Sequence, residues 1–469
     1  MKKIINNVFA ILILILASCG ITKDIATPIK DVPINFRGTE DNQTSSIGTL
    51  SVKDFFNNAT LQQLIDTALL RNLDIQIALQ NIEAADLMFK RAKLGQLPRL
   101  NFQASVNSNR PSSNSLNGLS TSQFLNTNHI EDFNANLALS WEADIWGKIA
   151  KQKEATYATY LQTEEVKKAV QTRVVAQVAT TFYQLIMLDA QLKVANSNVE
   201  FAANTVKMIK MQYDAGQVTS LAIQQAEAQK LQASQLIPQI LREISIQENG
   251  LSALSGKFPS AVERSLILAQ INIPEQLAVG VPSAMLSIRP DVKSAELALK
   301  IANANVGVAN AKLYPSLIIS ASGGLNSFKA SNWFNIPASL FGIVGGGITQ
   351  PLLNSKELKT QFHISKIERE KSVMLFRQTV IGAVAEVANE QAKIINLKSE
   401  YIIAQNRVAT LQLAVKNSDL LFKSGMANYL EVIAAQGNLL QGELDLTSLK
   451  TAQLNTSVLL YKALGGGWQ

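Results

Sequence analysis

The chain holds 469 residues, 17% of them charged and 47% hydrophobic, with a formal charge of +7, two histidines and one cysteine. The lysines are scattered rather than clustered, which argues against a nucleic-acid surface. His129 and His363 stand apart and no cysteine follows Cys19, so no metal or nucleophile constellation assembles, and neither catalysis nor a cofactor is expected.

Length alone suggests about three domains, but the residue mix of Ala, Leu, Gln, Asn and Ser suits long helices with modest apolar stripes. In chain order the first element is a leader. Lys2 and Lys3 precede an apolar run, Val8 to Ala17, too short for a spanning helix, which needs roughly 20 apolar residues. The run ends in Leu16-Ala17-Ser18-Cys19, which resembles the bacterial lipobox, where the cysteine sulfur is acylated and the chain is cut just before it. A thiolate suits that transfer and a serine does not. The alternative is an ordinary signal peptide with an incidental cysteine. After cleavage the charge falls to +5 as Lys2 and Lys3 leave, and no free thiol remains. Stability then has to come from packing, assembly or both. No later segment is apolar for 18 residues, so a membrane-spanning mature chain has to be a closed β-barrel.

The chain repeats itself. "NLDIQIALQNIEAADLMFKRAKLGQLPRL" from Asn72 matches "RPDVKSAELALKIANANVGVANAKLYPSL" from Arg289, with Asp74 on Asp291, Ala78 on Ala295 and Pro98 on Pro315. Later, "YDAGQVTSLAIQQAE" from Tyr213 matches "FKSGMANYLEVIAAQ" from Phe422, with Gly216 on Gly425. The change of offset between the two matches marks an indel, which a loop absorbs most cheaply. Each half reads helix, strand, loop, strand, long helix, turn, helix. Pro98 and Pro315 are expected to end the first helices.

Past Pro98 the pattern alternates with period two. Leu100, Phe102, Ala104 and Val106 oppose Asn101, Gln103, Ser105 and Asn107; Phe133, Ala135, Leu137, Leu139 and Trp141 oppose Asn134, Asn136, Ala138 and Ser140. That is the signature of strands with one apolar and one wet face. In the second half Leu317, Ile319, Ala321 and Leu325 oppose Ser316, Ser320, Ser322 and Asn326, with Ile318 as the exception. A glycine-rich strand is expected over 340–349. The Ser/Asn-rich stretch between the first two strands reads as a loop. Four strands are too few for a membrane barrel, whose minimum is about eight. A shared barrel and a soluble sandwich with a wet face both remain open.

Long helices follow, over about 144–212 and 355–422, each nearly free of proline and glycine. Val373, Phe376, Val380, Val384 and Val387 make one apolar stripe. At ~1.5 Å per residue each helix reaches on the order of 100 Å and needs neighbours along its length. Gly216 and Gly425 read as the turns of two antiparallel hairpins. In Arg289-Pro290-Asp291, proline suits the first helical position and the aspartate faces the positive helix end, a structural role. Trp141, Trp146 and Trp333 lie near strand ends, where the ring suits either a lipid–water boundary or ordinary packing. "LSGKF" from Leu254 lacks the first glycine of a phosphate loop and follows no strand.

From residues 60 to 464, "SIRPDVKSAELAL" with "AKLYPSL", "LSWEADIWGK", "ITQPLLN" and both glycine turns, in duplicate and in this order, resemble the outer-membrane efflux protein family of TolC-like channels. With the lipobox they resemble its lipoprotein branch. The resemblance implies a mainly α fold with a small β part. It further implies a homotrimer whose chains each lend four strands to one twelve-stranded transmembrane β-barrel, while long antiparallel hairpins form a helical barrel across the periplasm. The implied division is a signal peptide (1–18), a lipidated segment (19–59), a first repeat (60–250), an equatorial linker (251–285), a second repeat (286–464) and a tail (465–469). The implied function is passive conduction of small molecules from an inner-membrane pump with its periplasmic adaptor to the exterior, with Cys19 tethering the chain to outer-membrane lipid. Acidic side chains past the second turn form a constricting ring in the family, and Glu431 falls on one such position. The other position holds Ala434, and the first hairpin has Ala222 where an aspartate is often seen, so the full polar lock is missing. Gly216 and Gly425 mark the tips where an adaptor would dock. A protein-secretion conduit and a non-conducting lipid-anchored scaffold are the alternatives. The four alternating strands argue against the scaffold.

Overall fold

The computed structural model describes residues 33–37, 46–272, 278–354 and 356–469; Cys19 and the leader lie outside them. The helices are α1 (Val52–Phe55), α2 (Ala59–Arg71), α3 (Leu73–Lys93), α4 (Leu116–Phe124), α5 (Lys148–Asp214), α6 (Ser220–Leu254), α7 (Pro282–Ile288), α8 (Pro290–Ala311), α9 (Glu357–Lys423) and α10 (Tyr429–Ala463). Strands β1 (Arg99–Asn109) and β2 (Ile130–Ala143) fall between α3 and α5, and β3 (Ser316–Ser327) and β4 (Leu340–Thr349) between α8 and α9. The chain is therefore mainly helical, with a small β part.

The duplication extends to element lengths. Helices α5 and α9 each span 67 residues and α6 and α10 each span 35, and a shift of 209 residues superposes all four sets of bounds. The chain forms two compact units that both draw on both repeats. One is built from the described parts of 83–161 and 297–374, the other from those of 29–82, 162–296 and 375–469.

In the first unit the four strands form one antiparallel sheet in the order β1-β2-β3-β4, so β1 and β4 are edges. The glycine-rich strand runs over Leu340–Thr349, the span expected for it. Three expectations shift in detail. Helix α5 starts later than 144 because Asp144 acts as its cap, accepting from the backbone N–H of Ile149 and Ala150, both at 2.8 Å. The first helices stop at Lys93 and Ala311, ahead of Pro98 and Pro315, which instead sit directly before β1 and β3. A residue preceding proline is pushed from helical to extended backbone, so the helix ends upstream of the ring. The Ser/Asn stretch is not all loop: α4 forms within it, started by Ser115 Oγ accepting from Gly118 N–H at 3.1 Å. Serine at an N-cap satisfies an orphan donor, an effect that composition hides.

In the second unit the core gathers Leu61 and Ile65 from α2, Phe182, Leu185 and Ile186 from α5, Leu251 from α6, Leu286 from α7 and Leu460 and Tyr461 from α10, all essentially sealed from water. Tyr461 stacks on Phe55 at 4.1 Å and donates to Leu50 O at 2.7 Å. Burial pushes its hydroxyl up to about 12. No helix among the described residues is long and apolar enough to cross a membrane.

Candidate functional site

The sheet register puts like with like. Leu100 faces Leu139, Phe102 faces Leu137 and Val106 faces Phe133; Leu139 continues to Ala321, and Ala321 to Val344. One face of the sheet is thus continuously apolar. It is also bare: Phe102 is 71% exposed, Val344 83% and Ile348 74%, where a soluble sandwich would cover them. The opposite face pairs Gln103 with Asn136, Ser105 with Asn134, Asn134 with Asn326 and Ser140 with Ser320. Besides Ile318, Phe341 and Ile343 interrupt it, at positions that face Gly324 and Ser322. Charges flank the polar stretch of β2. Asp132 accepts from Asn326 Nδ2 at 2.7 Å near one end, and Glu142 Oε2 lies 2.6 Å from Lys148 Nζ at the other.

Aromatic rings mark both ends of the apolar face. Phe133 packs against Trp333 at 5.4 Å between centroids, and Trp333 against Phe334 at 5.1 Å. Trp141, eight residues along β2 from Phe133, donates to Gln96 O at 2.8 Å. Trp146 donates to Pro315 O at 2.7 Å and stacks on Tyr314 at 4.9 Å. Eight residues at ~3.3 Å each give about 26 Å along the strand, or about 20 Å after a ~40° tilt, near the ~25 Å apolar band of outer-membrane barrels.

In the second unit the hairpin tips are built alike. Gly216 and Gly425 have φ of 74° and 75°, the left-handed region open to glycine at low cost. Gly216 N–H donates to Tyr213 O and Gln217 N–H to Gln212 O, both at 2.8 Å; Gly425 and Met426 repeat the pattern on Phe422 and Leu421. These are Schellman caps, which close a helix through a left-handed residue. Gly256 and Gly465 cap the far ends of α6 and α10 in the same way. Sequence reading missed this second pair, although it keeps the 209-residue spacing. Val206, Ile209, Ala222 and Ala226 of the first hairpin cluster with Phe422 and Val432 of the second. Tyr429 Oη donates to Gln225 Oε1 at 2.7 Å, tying the two tips together.

Glu431 is exposed in the first turn of α10. Asn428 Oδ1 caps that helix, accepting from Leu430 N–H at 2.9 Å and Glu431 N–H at 3.1 Å. A carboxylate there is favoured by the helix dipole whatever else it does. Ala222, its counterpart under the repeat, is fully buried in the tip cluster, whereas Ala434 is exposed.

The two repeats also share a clamp. Asn72 Nδ2 donates to Leu254 O at 2.9 Å, closing the end of α6; Arg289 Nη1 donates to Ala463 O at 2.8 Å, closing the end of α10. Arg289 is almost wholly buried and also holds Asp291, through Nε at 2.9 Å and Nη2 at 2.6 Å, and Glu386 at 2.8 Å. Burial alone would raise the Asp291 carboxyl. The Arg289 guanidinium and the Val292 backbone N–H outweigh it and hold the group below the usual carboxylate range. Pro290 and Asp291 open α8, as the motif predicts, but the clamping role of Arg289 was not visible in the spacing. Arg264 ties the segment after α6 to Asp189 of α5, 2.9 Å through Nη2, and to Glu248 of α6; hydrogen bonding to Asp189 raises its already high pKa. His129 and His363 lie on β-hairpin loop and α9 respectively, and no acidic, histidine or cysteine cluster able to hold a metal occurs among the described residues.

Comparison with known proteins agrees with this architecture. Residues 64–257 and 281–466 match the outer membrane efflux protein family. The cation efflux system protein CusC of Escherichia coli O6:H1 is 27% identical over 459 residues, covering 97% of either chain. The solvent efflux pump outer membrane protein SrpC of Pseudomonas putida is 28% identical over 470 residues, again 97% of either chain. A crystal structure of CusC superposes with a TM-score of 0.83 at 26% identity, covering 96% of this chain and 100% of that one. A membrane protein of Pseudomonas aeruginosa gives a TM-score of 0.87 at 25% identity, covering 96% and 98%. The duplicated hairpins, the four-stranded sheet and these matches lead to one conclusion: the chain belongs to the outer membrane efflux protein family.

Proposed function

We propose that this protein is the outer-membrane channel of a tripartite efflux system. It passively conducts small molecules from an inner-membrane pump and its periplasmic adaptor to the exterior, and it works as a homotrimer. The observation that carries the reading is the sheet, which has a bare apolar face, a wet face of amides and hydroxyls, and two unpaired edges. Lipid does not tolerate open edges, and four strands cannot close on themselves, so closure needs strands from other copies. Relatives named for cation and for solvent efflux support small-molecule transport over protein secretion. The family is one of transport proteins, not enzymes.

Within this reading Glu431 contributes three carboxylates to a constriction at the periplasmic mouth, favouring cations. The Gly216 and Gly425 tips present the surface for the adaptor. Trp141, Trp146 and Trp333 sit at the lipid–water boundary. Cys19 carries the lipid that tethers the chain beside its barrel. The experiment is purification from outer membranes in detergent, native mass measurement and insertion into planar bilayers. A three-chain mass with steady ion-conducting pores is expected; a one-chain mass, or trimers without conductance, overturns the proposal.

A further inference from the structure

The sheet sorts its charges by face and by end. One end of the sheet joins the long helices, and the other carries the β1–β2 loop with α4. The register places Arg99, Asp132 and Glu142 on the wet face, and no other strand residue on that face is charged. Arg99 faces Ser140 at the helix end, where Glu142 also lies, whereas Asp132 is eight residues from Ser140, at the loop end. Between them that face offers only amides, hydroxyls, glycines and a few apolar side chains.

The helix end is net positive. Glu142 is neutralised by Lys148, 2.6 Å away. Both line a cavity of about 180 Å³ together with Asp144 and Lys312. Asp144 is taken up by the backbone N–H groups that it caps, and neither Lys312 nor Arg99 joins an ion pair among the described residues. Three cations thus stand against two carboxylates. The loop end of the wet face is net negative. Asp132 accepts from the neutral Asn326 amide at 2.7 Å and meets no cation. Its neighbour Glu131 falls on the other face, 3.7 Å from His129 Nε2. Arg110 and Lys329 lie past the last residues of β1 and β3, with Lys329 Nζ 5.5 Å from the Phe328 ring.

We propose that Arg99 and Asp132 form two oppositely charged rings on the wall of the pore and make its conductance depend on the direction of the current. The proposal rests on the channel reading above, in which the wet face lines the conduit, and adds the residues that set ion preference inside the barrel. Eight residues at ~3.3 Å separate the rings by about 26 Å along the strand, or about 20 Å after a ~40° tilt. That exceeds the ~10 Å screening length at about 0.1 M salt, so each ring gathers its own counter-ions. With the loop side positive, cations enter past Asp132 and anions past Arg99, and both collect between the rings. The opposite polarity drives each ion in through the ring that repels it and depletes the same space. Fixed charges cannot drive net flux, but they make the two directions unequal under an applied force.

The test is current against voltage for the full chain inserted in one orientation into planar bilayers, in potassium chloride. At about 0.1 M salt the current with the loop side positive is expected to exceed the reverse current roughly twofold, and the ratio to approach one at about 1 M, where the screening length is ~3 Å. Asp132→Asn, which keeps an acceptor for Asn326, and Arg99→Gln are each expected to bring the two currents toward equality. Asp132→Glu and Arg99→Lys are expected to restore the inequality, which a merely structural role would not require. Exchanging the two charges, Arg99→Asp with Asp132→Arg, is expected to shift the ratio past the neutral variants toward the other polarity. Glu431 is left in place throughout, so its own contribution stays constant. A conducting parent whose currents are equal at low salt, or whose ratio ignores salt, overturns the rings and leaves the channel standing; so do neutral variants that retain the parent ratio. A parent that does not conduct overturns the channel reading and the rings with it.

Discussion

Arg289 reaches a helix end, an adjacent aspartate and a glutamate of α9 at once, so its loss strands several groups together. Replacing it with alanine leaves Ala463 O uncapped and Asp291 and Glu386 without their counter-charge. Because the two carboxylates stay partly in water, about 2–4 kcal/mol of destabilisation is expected, read as a lower urea midpoint. Asp291 adds a pH signature. Its folded carboxyl is held below the ordinary range, so its contribution is complete above the unfolded carboxylate pKa and is lost as pH falls through the depressed folded value. Asp291→Asn is therefore expected to flatten the acid limb of the stability profile, and a limb as steep as in the parent would refute that assignment. In the proposed channel Glu431 bears on transport. Glu431→Ala is expected to lower the cation-over-anion permeability ratio roughly twofold or more in bilayers while leaving the trimer intact; an unchanged reversal potential would remove it from the conduction path.

The elements differ in what makes them legible. Period-two alternation around Phe102 and Leu137 predicts both strands and which face is apolar, because a one-residue slip would turn every side chain over. The glycine-rich strand was legible only through its place in the repeat. Helix α4 was not, since its cap at Ser115 is a local hydrogen bond in a stretch whose composition signals loop. The turns at Gly216 and Gly425 were readable as breaks in long glycine-poor runs, and their positive φ makes them costly to change. Gly425→Ala is expected to cost about 1–2 kcal/mol and to speed amide exchange at the tip while leaving the sheet unaffected. On the apolar face, Leu137→Arg is expected to cost about 2–4 kcal/mol near the bilayer centre and block outer-membrane assembly, whereas the neighbouring Asn136→Gln on the wet face is tolerated. Equal accumulation of both variants in outer membranes would mean the face does not meet lipid.

At the scale of the whole molecule the repeat was the most readable feature, and also the one whose consequences the sequence understated. Matching Asp74 with Asp291 and Gly216 with Gly425 predicts two like halves, but the clamps at Asn72 and Arg289 use different side chains for one task, so identity matching passes over them. Sequence likewise does not show which apolar residues stay bare, because exposure depends on what surrounds a helix rather than on its own periodicity. The structure shows it: Leu231, Ile403, Phe102 and Val344 remain open to solvent in a single chain. In the proposed trimer the edges of the sheet, unpaired among the described residues, gain their partners from neighbouring copies, which couples the pairing of strands to the meeting of chains. Assembly favours the folded state by mass action, and its loss withdraws that stabilisation from every element at once. Heating the detergent-extracted protein of the proposed trimer is therefore expected to dissociate chains and release the protected amides of β1 and β4 in a single transition, because those edges have no partner among the described residues of the chain. Edge amides that exchange freely while the trimer is intact would show that the strands are never joined between copies, and the shared barrel would have to be abandoned.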